Sequence, residues 1–128
     1  MAKIKLGATP KNFKKTVTFP MLDGSTGSIE ITYRYRTRTD FGLFIDELME
    51  SAKVKAPKDA DAEFSMADLM EKTAGSNADY VLQVVDGWNL DEDLTHGNVQ
   101  QLADEMPAAV NAIMETYRVA VTEGRLGN

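Results

Sequence analysis

The 128-residue chain contains no cysteine, one histidine and one tryptophan. Without cysteine there are no disulfides, no thiolate nucleophile and no thiolate metal site. The composition suits a reducing compartment. No stretch approaches the ~20 apolar residues that span a bilayer. The start, Met1-Ala2-Lys3-Ile4-Lys5, is basic but has no apolar run behind it, so no secretory leader is expected and the cytoplasm is the expected location. There is no internal repeat and no low-complexity tract. A chain of this length can bury one core without staples.

The net charge of −6 hides an asymmetry. Residues 1–38 hold eight Lys/Arg and two acids, Asp23 and Glu30; residues 39–128 hold six Lys/Arg and eighteen acids. The two parts attract each other, and the same attraction allows head-to-tail self-association of two copies. An acidic protein is a poor general nucleic-acid binder, although a local basic face can serve.

Period-two patterning begins at Phe13. Phe13, Lys15, Val17 and Phe19 share one face, and Ile29, Ile31, Tyr33 and Tyr35 alternate with Glu30, Thr32, Arg34 and Arg36. The turn formers of 23–28 lie between these runs, which predicts a β-hairpin. A lone hairpin is marginal in water, so its apolar face must pack on something. Helical spacing follows. Thr39 or Asp40 can cap a helix carrying Phe41, Phe44, Ile45, Leu48, Met49 and Ala52. Pro57 ends it, and Lys53 to Glu63 reads as a charged linker. Ser65 caps a short helix closed by Gly75. Asn77 opens another, with Tyr80, Val81, Val84, Val85 and Trp88 on one side. After an acidic stretch, Val99, Leu102, Ala103 and Met106 mark a fourth. Pro107 starts the last, with Val110, Ile113, Met114, Tyr117 and Val121 as its stripe and Gly124 and Gly127 at its end. Those five side chains, buried, contribute on the order of 8–15 kcal/mol before entropy is subtracted. The expected fold is α+β: a mobile arm over 1–12, then a single domain over 13–128. In it a β-hairpin (13–37) packs on a bundle of about five α-helices (39–124).

Catalytic chemistry has little to stand on. His96, between Thr95 and Gly97, reads as a surface residue, and no nucleophile elbow occurs. Asp91-Glu92-Asp93 lacks the order of a calcium loop and suits the positive end of the following helix. Gly24-Ser25-Thr26-Gly27 has no Lys-Ser/Thr behind it and reads as a hairpin turn, not a phosphate cradle. The methionines fall mostly on apolar stripes, which favours core packing over an adaptable binding surface. The chain is therefore expected to have no catalytic residue, no metal and no cofactor, and to bind other proteins. Tyr33, Arg34, Tyr35, Arg36 and Arg38 on the hairpin, with Trp88, Leu90 and Leu94 beside the acidic turn, are the candidate contact residues. Trp88 reads first as a core anchor, with a partner-binding hot spot as the alternative. The alternative is a nucleic-acid-binding regulator using the basic hairpin. Its tyrosines and arginines alternate onto opposite faces, so stacking and charge would not act together. A small enzyme using His96 with Asp91 or Asp93 ranks below both.

The second half resembles the tail assembly chaperones of long-tailed bacteriophages. The resemblance lies in Val85-Asp86-Gly87-Trp88-Asn89-Leu90-Asp91, Leu94, Val99, Leu102, Met106-Pro107, Ala112-Ile113, Tyr117 and Gly124-Arg125-Leu126-Gly127-Asn128. It covers about two thirds of the chain. It implies a protein that binds the long helical tape measure protein before assembly, helps recruit tail tube subunits onto it, works in the host cytoplasm and is absent from the finished virion. Many such chaperones also have a longer frameshifted product.

Overall fold

The computed structural model describes residues 6–7, 9–55 and 66–126. Half of the expected arm (1–5 and 8), most of the linker (56–63) with Ser65, and Gly127 with Asn128 lie outside the described residues. The chain runs β1 (Asn12–Pro20), β2 (Thr26–Arg34), α1 (Arg38–Lys55), α2 (Met66–Val84), β3 (Val85–Trp88), α3 (His96–Glu105) and α4 (Pro107–Glu123). The fold is α+β, a three-stranded antiparallel sheet in the order β1-β2-β3 with four helices.

The expected hairpin forms, and its register sets Phe13 opposite Tyr33 and Val17 opposite Ile29. Gly24 sits at φ 88°, where a side chain would be strained. The Asp23 carboxylate accepts from the Ser25 N–H at 3.0 Å and from its hydroxyl at 2.5 Å. These bonds hold its pKa below the usual carboxylate range. The inner face of β1 and β2 is apolar and buried: Phe13, Val17, Phe19, Ile29, Ile31 and Tyr33. α4 lies against it and buries Ala109, Val110, Ile113, Tyr117, Ala120 and Val121. Met106 closes α3 and opens α4: its N–H donates to Leu102 O at 2.7 Å, and its carbonyl accepts from Ala109 at 3.0 Å. Pro107 takes the first turn, and Gly124 at φ 71° ends the helix.

Three expectations fail. Gly75 does not end a helix, so α2 is continuous and there are four helices, not five. Gly75 lacks the left-handed φ of a C-terminal cap. A glycine inside a helix costs only about 1 kcal/mol, and buried Ala78, Val81 and Val84 downstream offset it. Val85 to Trp88 leaves the helix and forms β3, with Ile31 opposite Trp88 and Tyr33 opposite Val85 across a bulge. The open edge of β2 needs hydrogen-bond partners, and residues 85–88 supply them. The cap of α1 comes earlier than Thr39 or Asp40. Thr37 Oγ1 accepts from the Asp40 N–H at 3.2 Å, and the Thr37 carbonyl accepts from Phe41 at 2.9 Å.

Candidate partner-binding surface

Tyr33 is fully buried, so it holds the core together and offers nothing to a partner. Its ring stacks on Phe13 with centroids 5.3 Å apart, and its hydroxyl donates to the Ile113 carbonyl at 2.7 Å. Burial pushes this phenol well above its ordinary pKa. Alternation then turns Arg34 to the outer face, where its side chain is half exposed and lies 3.6 Å from Asp86 of β3. Tyr35 is half-buried, and its N–H donates to the Lys11 carbonyl at 3.1 Å.

Arg36 has a structural task. Its guanidinium lies 4.5 Å from the Phe44 ring centroid and donates to the Tyr117 hydroxyl at 3.2 Å. Tyr117 in turn donates to the Arg34 carbonyl at 2.8 Å. The exit of β2 is thereby pinned to both α1 and α4. Arg38, the first residue of α1, is exposed.

Trp88 ends β3, half-buried against the core, with its indole N–H donating to the Glu92 carbonyl at 2.8 Å. The acidic turn is held from its other side by Asn98, whose Nδ2 donates to the Asp93 carbonyl at 2.8 Å. Thr95 caps α3 by accepting from the Asn98 N–H at 3.2 Å. The turn thus presents its carboxylates outward from a fixed main chain: Asp91, Glu92 and Asp93 are all exposed. Leu90 and Leu94 are half-buried and pack on the core.

The eight candidate residues do not make one patch. β3 brings Trp88 onto the same sheet as Arg34. Arg36 and Arg38 follow the C-terminal end of β2, and the antiparallel pairing places Trp88 toward the other end. Sequence reading missed Asp86, which ties Arg34 to β3, and Asn89, whose Oδ1 accepts the Glu30 N–H at 3.0 Å. A strand reading of 85–88 would have revealed both. It also missed Leu22 and Leu43, 85% and 57% exposed, because spacing alone does not tell a displayed leucine from a core one.

The basic outer face is less basic than its sequence suggests. Lys14 lies 3.9 Å from Glu30, as Arg34 does from Asp86 at 3.6 Å. Such exposed pairs contribute little to stability, but they neutralise charge locally. His96 Nε2 lies 3.1 Å from Asp79 Oδ1 of α2. Its carboxylate partner is therefore Asp79 and neither Asp91 nor Asp93. Among the described residues no helix is long and apolar enough to cross a membrane.

The family model of the phage tail assembly chaperones matches residues 1–128. No curated protein and no solved structure matches the chain. The match spans the hairpin as well as the landmarks from Val85 onward, and the chain belongs to the phage tail assembly chaperone family.

Proposed function

We propose that this chain binds the tape measure protein in the host cytoplasm and helps recruit tail tube subunits onto it, by protein–protein contact and without catalysis. Like others of its role, it would then leave before the virion is complete. The observation that carries this reading is the family match over residues 1–128. Surface chemistry supports it. Arg34 and Arg38 are exposed at the exit of β2, and a fixed acidic turn after β3 stands beside half-buried Trp88, Leu90 and Leu94. A half-buried aromatic rimmed by charge is the usual anchor of a protein interface. Opposite charges on separate surfaces favour fast, salt-sensitive association and easy release. They also leave room for self-association.

The nucleic-acid reading loses support from the same geometry. Lys14 and Arg34 face carboxylates, and Arg36 is engaged by Phe44 and Tyr117. The test is co-expression with the tape measure protein of the same genome. The expected result is a co-purifying complex that dissociates as salt rises. A tape measure protein that is equally soluble and unbound in its presence contradicts the reading.

A further inference from the structure

An aspartate is followed by a glycine twice in the chain, at Asp23-Gly24 and at Asp86-Gly87. In such a pair the glycine nitrogen can attack the preceding carboxyl carbon, because glycine has no Cβ to block the approach. A nitrogen–Cγ bond forms, and the carboxyl hydroxyl leaves as water with the amide proton. The product is a five-membered cyclic imide. Water then adds across one of its two C–N bonds. Cleavage at Cγ restores aspartate. Cleavage at the main-chain carbonyl leaves the chain running through Cγ, as isoaspartate, with unchanged mass and one more carbon in the backbone. No oxidant or reductant takes part.

The fold treats the two pairs differently. Asp23 and Gly24 stand at the tip of the β1–β2 hairpin, where residues 22–26 are all exposed. The Met21 N–H donates to the Ser25 carbonyl at 2.7 Å, and the Gly24 N–H donates to the Met21 carbonyl at 3.0 Å. While the tip is closed, both reacting groups are engaged. The Gly24 nitrogen is held by Met21. The Asp23 carboxylate accepts from the N–H and the hydroxyl of Ser25, which favours its ionised form. An ionised carboxylate has no hydroxyl to lose as water. Opening the tip breaks these bonds but uncovers no buried side chain, since none of residues 22–26 belongs to the core. Exposed segments of this kind open at little cost in free energy.

Asp86 and Gly87 lie inside β3. Gly87 is opposite Thr32, and the Asp86 carboxylate lies 3.6 Å from Arg34. Val85 before them is buried, and Trp88 after them packs on the core. Freeing this pair requires β3 to leave β2 and Val85 to leave the core, an opening close to unfolding of the domain.

We propose that Asp23 is the site of spontaneous isoaspartate formation in the folded protein, gated by the Ser25 clasp, that Asp86 reacts only in the unfolded chain, and that the modified tip no longer closes. The extra carbon lengthens the main chain between Met21 and Ser25, the residues whose bond shuts the turn. The proposal concerns the hairpin tip alone, so its failure leaves the tape measure reading standing.

The test ages the full chain near neutral pH, folded and in guanidinium chloride. Isoaspartate in the two proteolytic peptides is counted by methyl transfer with a protein isoaspartate methyltransferase and by electron-capture mass spectrometry. In the folded protein Asp23 should convert about tenfold faster than Asp86 or more, and in denaturant the two should convert at similar rates. Ser25→Ala, an exposed change that leaves the hairpin ladder intact, should speed conversion of Asp23 severalfold in the folded protein and leave Asp86 unaffected. In the purified isoaspartate form the Met21 amide should lose its protection from hydrogen exchange. Equal rates at the two sites in the folded protein would overturn the proposal, as would the same preference for Asp23 in denaturant. So would a Ser25→Ala chain that ages like the unaltered one, or a Met21 amide still protected after the modification.

Discussion

The helices α1 and α4 are nearly equal in length, at 18 and 17 residues, but stand in the molecule very differently. α4 buries six side chains from its first turn to its last and lies under the sheet. Among its described side chains α1 buries Phe41 and Phe44 near its start, with Ile45 and Leu48 half-buried behind them and Leu43 exposed. The two meet through aromatic rings: Phe41 lies 5.8 Å from Tyr117, and Phe44 lies 6.2 Å from Phe41 and 5.3 Å from Tyr80. Helix length therefore says little about structural weight. One helix is the strut on which the sheet rests, and the start of the other is seated by two phenylalanines and an arginine.

The comparison can be broken most forcefully at Ile113, which is fully buried. Ile113→Ala should cost about 2–5 kcal/mol in urea unfolding and weaken hydrogen-exchange protection in the sheet and α4 together. Phe44→Ala should cost about 3 kcal/mol, but its loss of protection should stay within α1. If that loss spreads through the sheet, α1 is as central as α4. Tyr117→Phe tests the link between the two helices. It leaves the Arg34 carbonyl and the Arg36 guanidinium each without a partner they now have. The expected cost is about 1–3 kcal/mol.

The same ring chain makes a pH prediction. Burial raises the pKa values of Tyr33, Tyr80 and Tyr117 above the ordinary value of 10.0. The neutral phenol is the folded form. Its contribution is complete below the unfolded pKa, and stability falls as pH rises from there through the higher folded values. Denaturant midpoints should hold steady up to about pH 10 and decline above it. A midpoint unchanged well beyond that would mean that these phenols are not buried. Leu43→Ala should be smallest, within about 0.5 kcal/mol, because its side chain already meets solvent.

The strong regular patterns were the legible part of the fold. Strict alternation in 13–19 and 29–35 placed the hairpin, and Pro107 with the Val110–Val121 stripe placed α4. The errors came where tertiary pairing decided. Nothing local marks Val85 as the start of a strand, because β3 exists only through the edge of β2, more than fifty residues away. Gly75 shows the reverse: a local stop signal overridden by the buried face downstream. The candidate surface was half legible for the same reason. Trp88 and Arg34 were singled out, but their common sheet depends on β3. Alternation also put Tyr33 on the inner face, and burial removes it from any contact surface.

The central claim is that this family member works by binding a tail protein through an exposed charged surface. Calorimetric titration with the tape measure protein of the same genome tests it most directly, comparing the unaltered chain with the Arg34→Glu, Arg38→Glu double variant. Both side chains are exposed, so the unfolding curve should hardly move, while affinity should fall roughly tenfold or more. Absence of binding by the unaltered chain would contradict the claim itself. Equal binding by both proteins would remove the arginine surface from it.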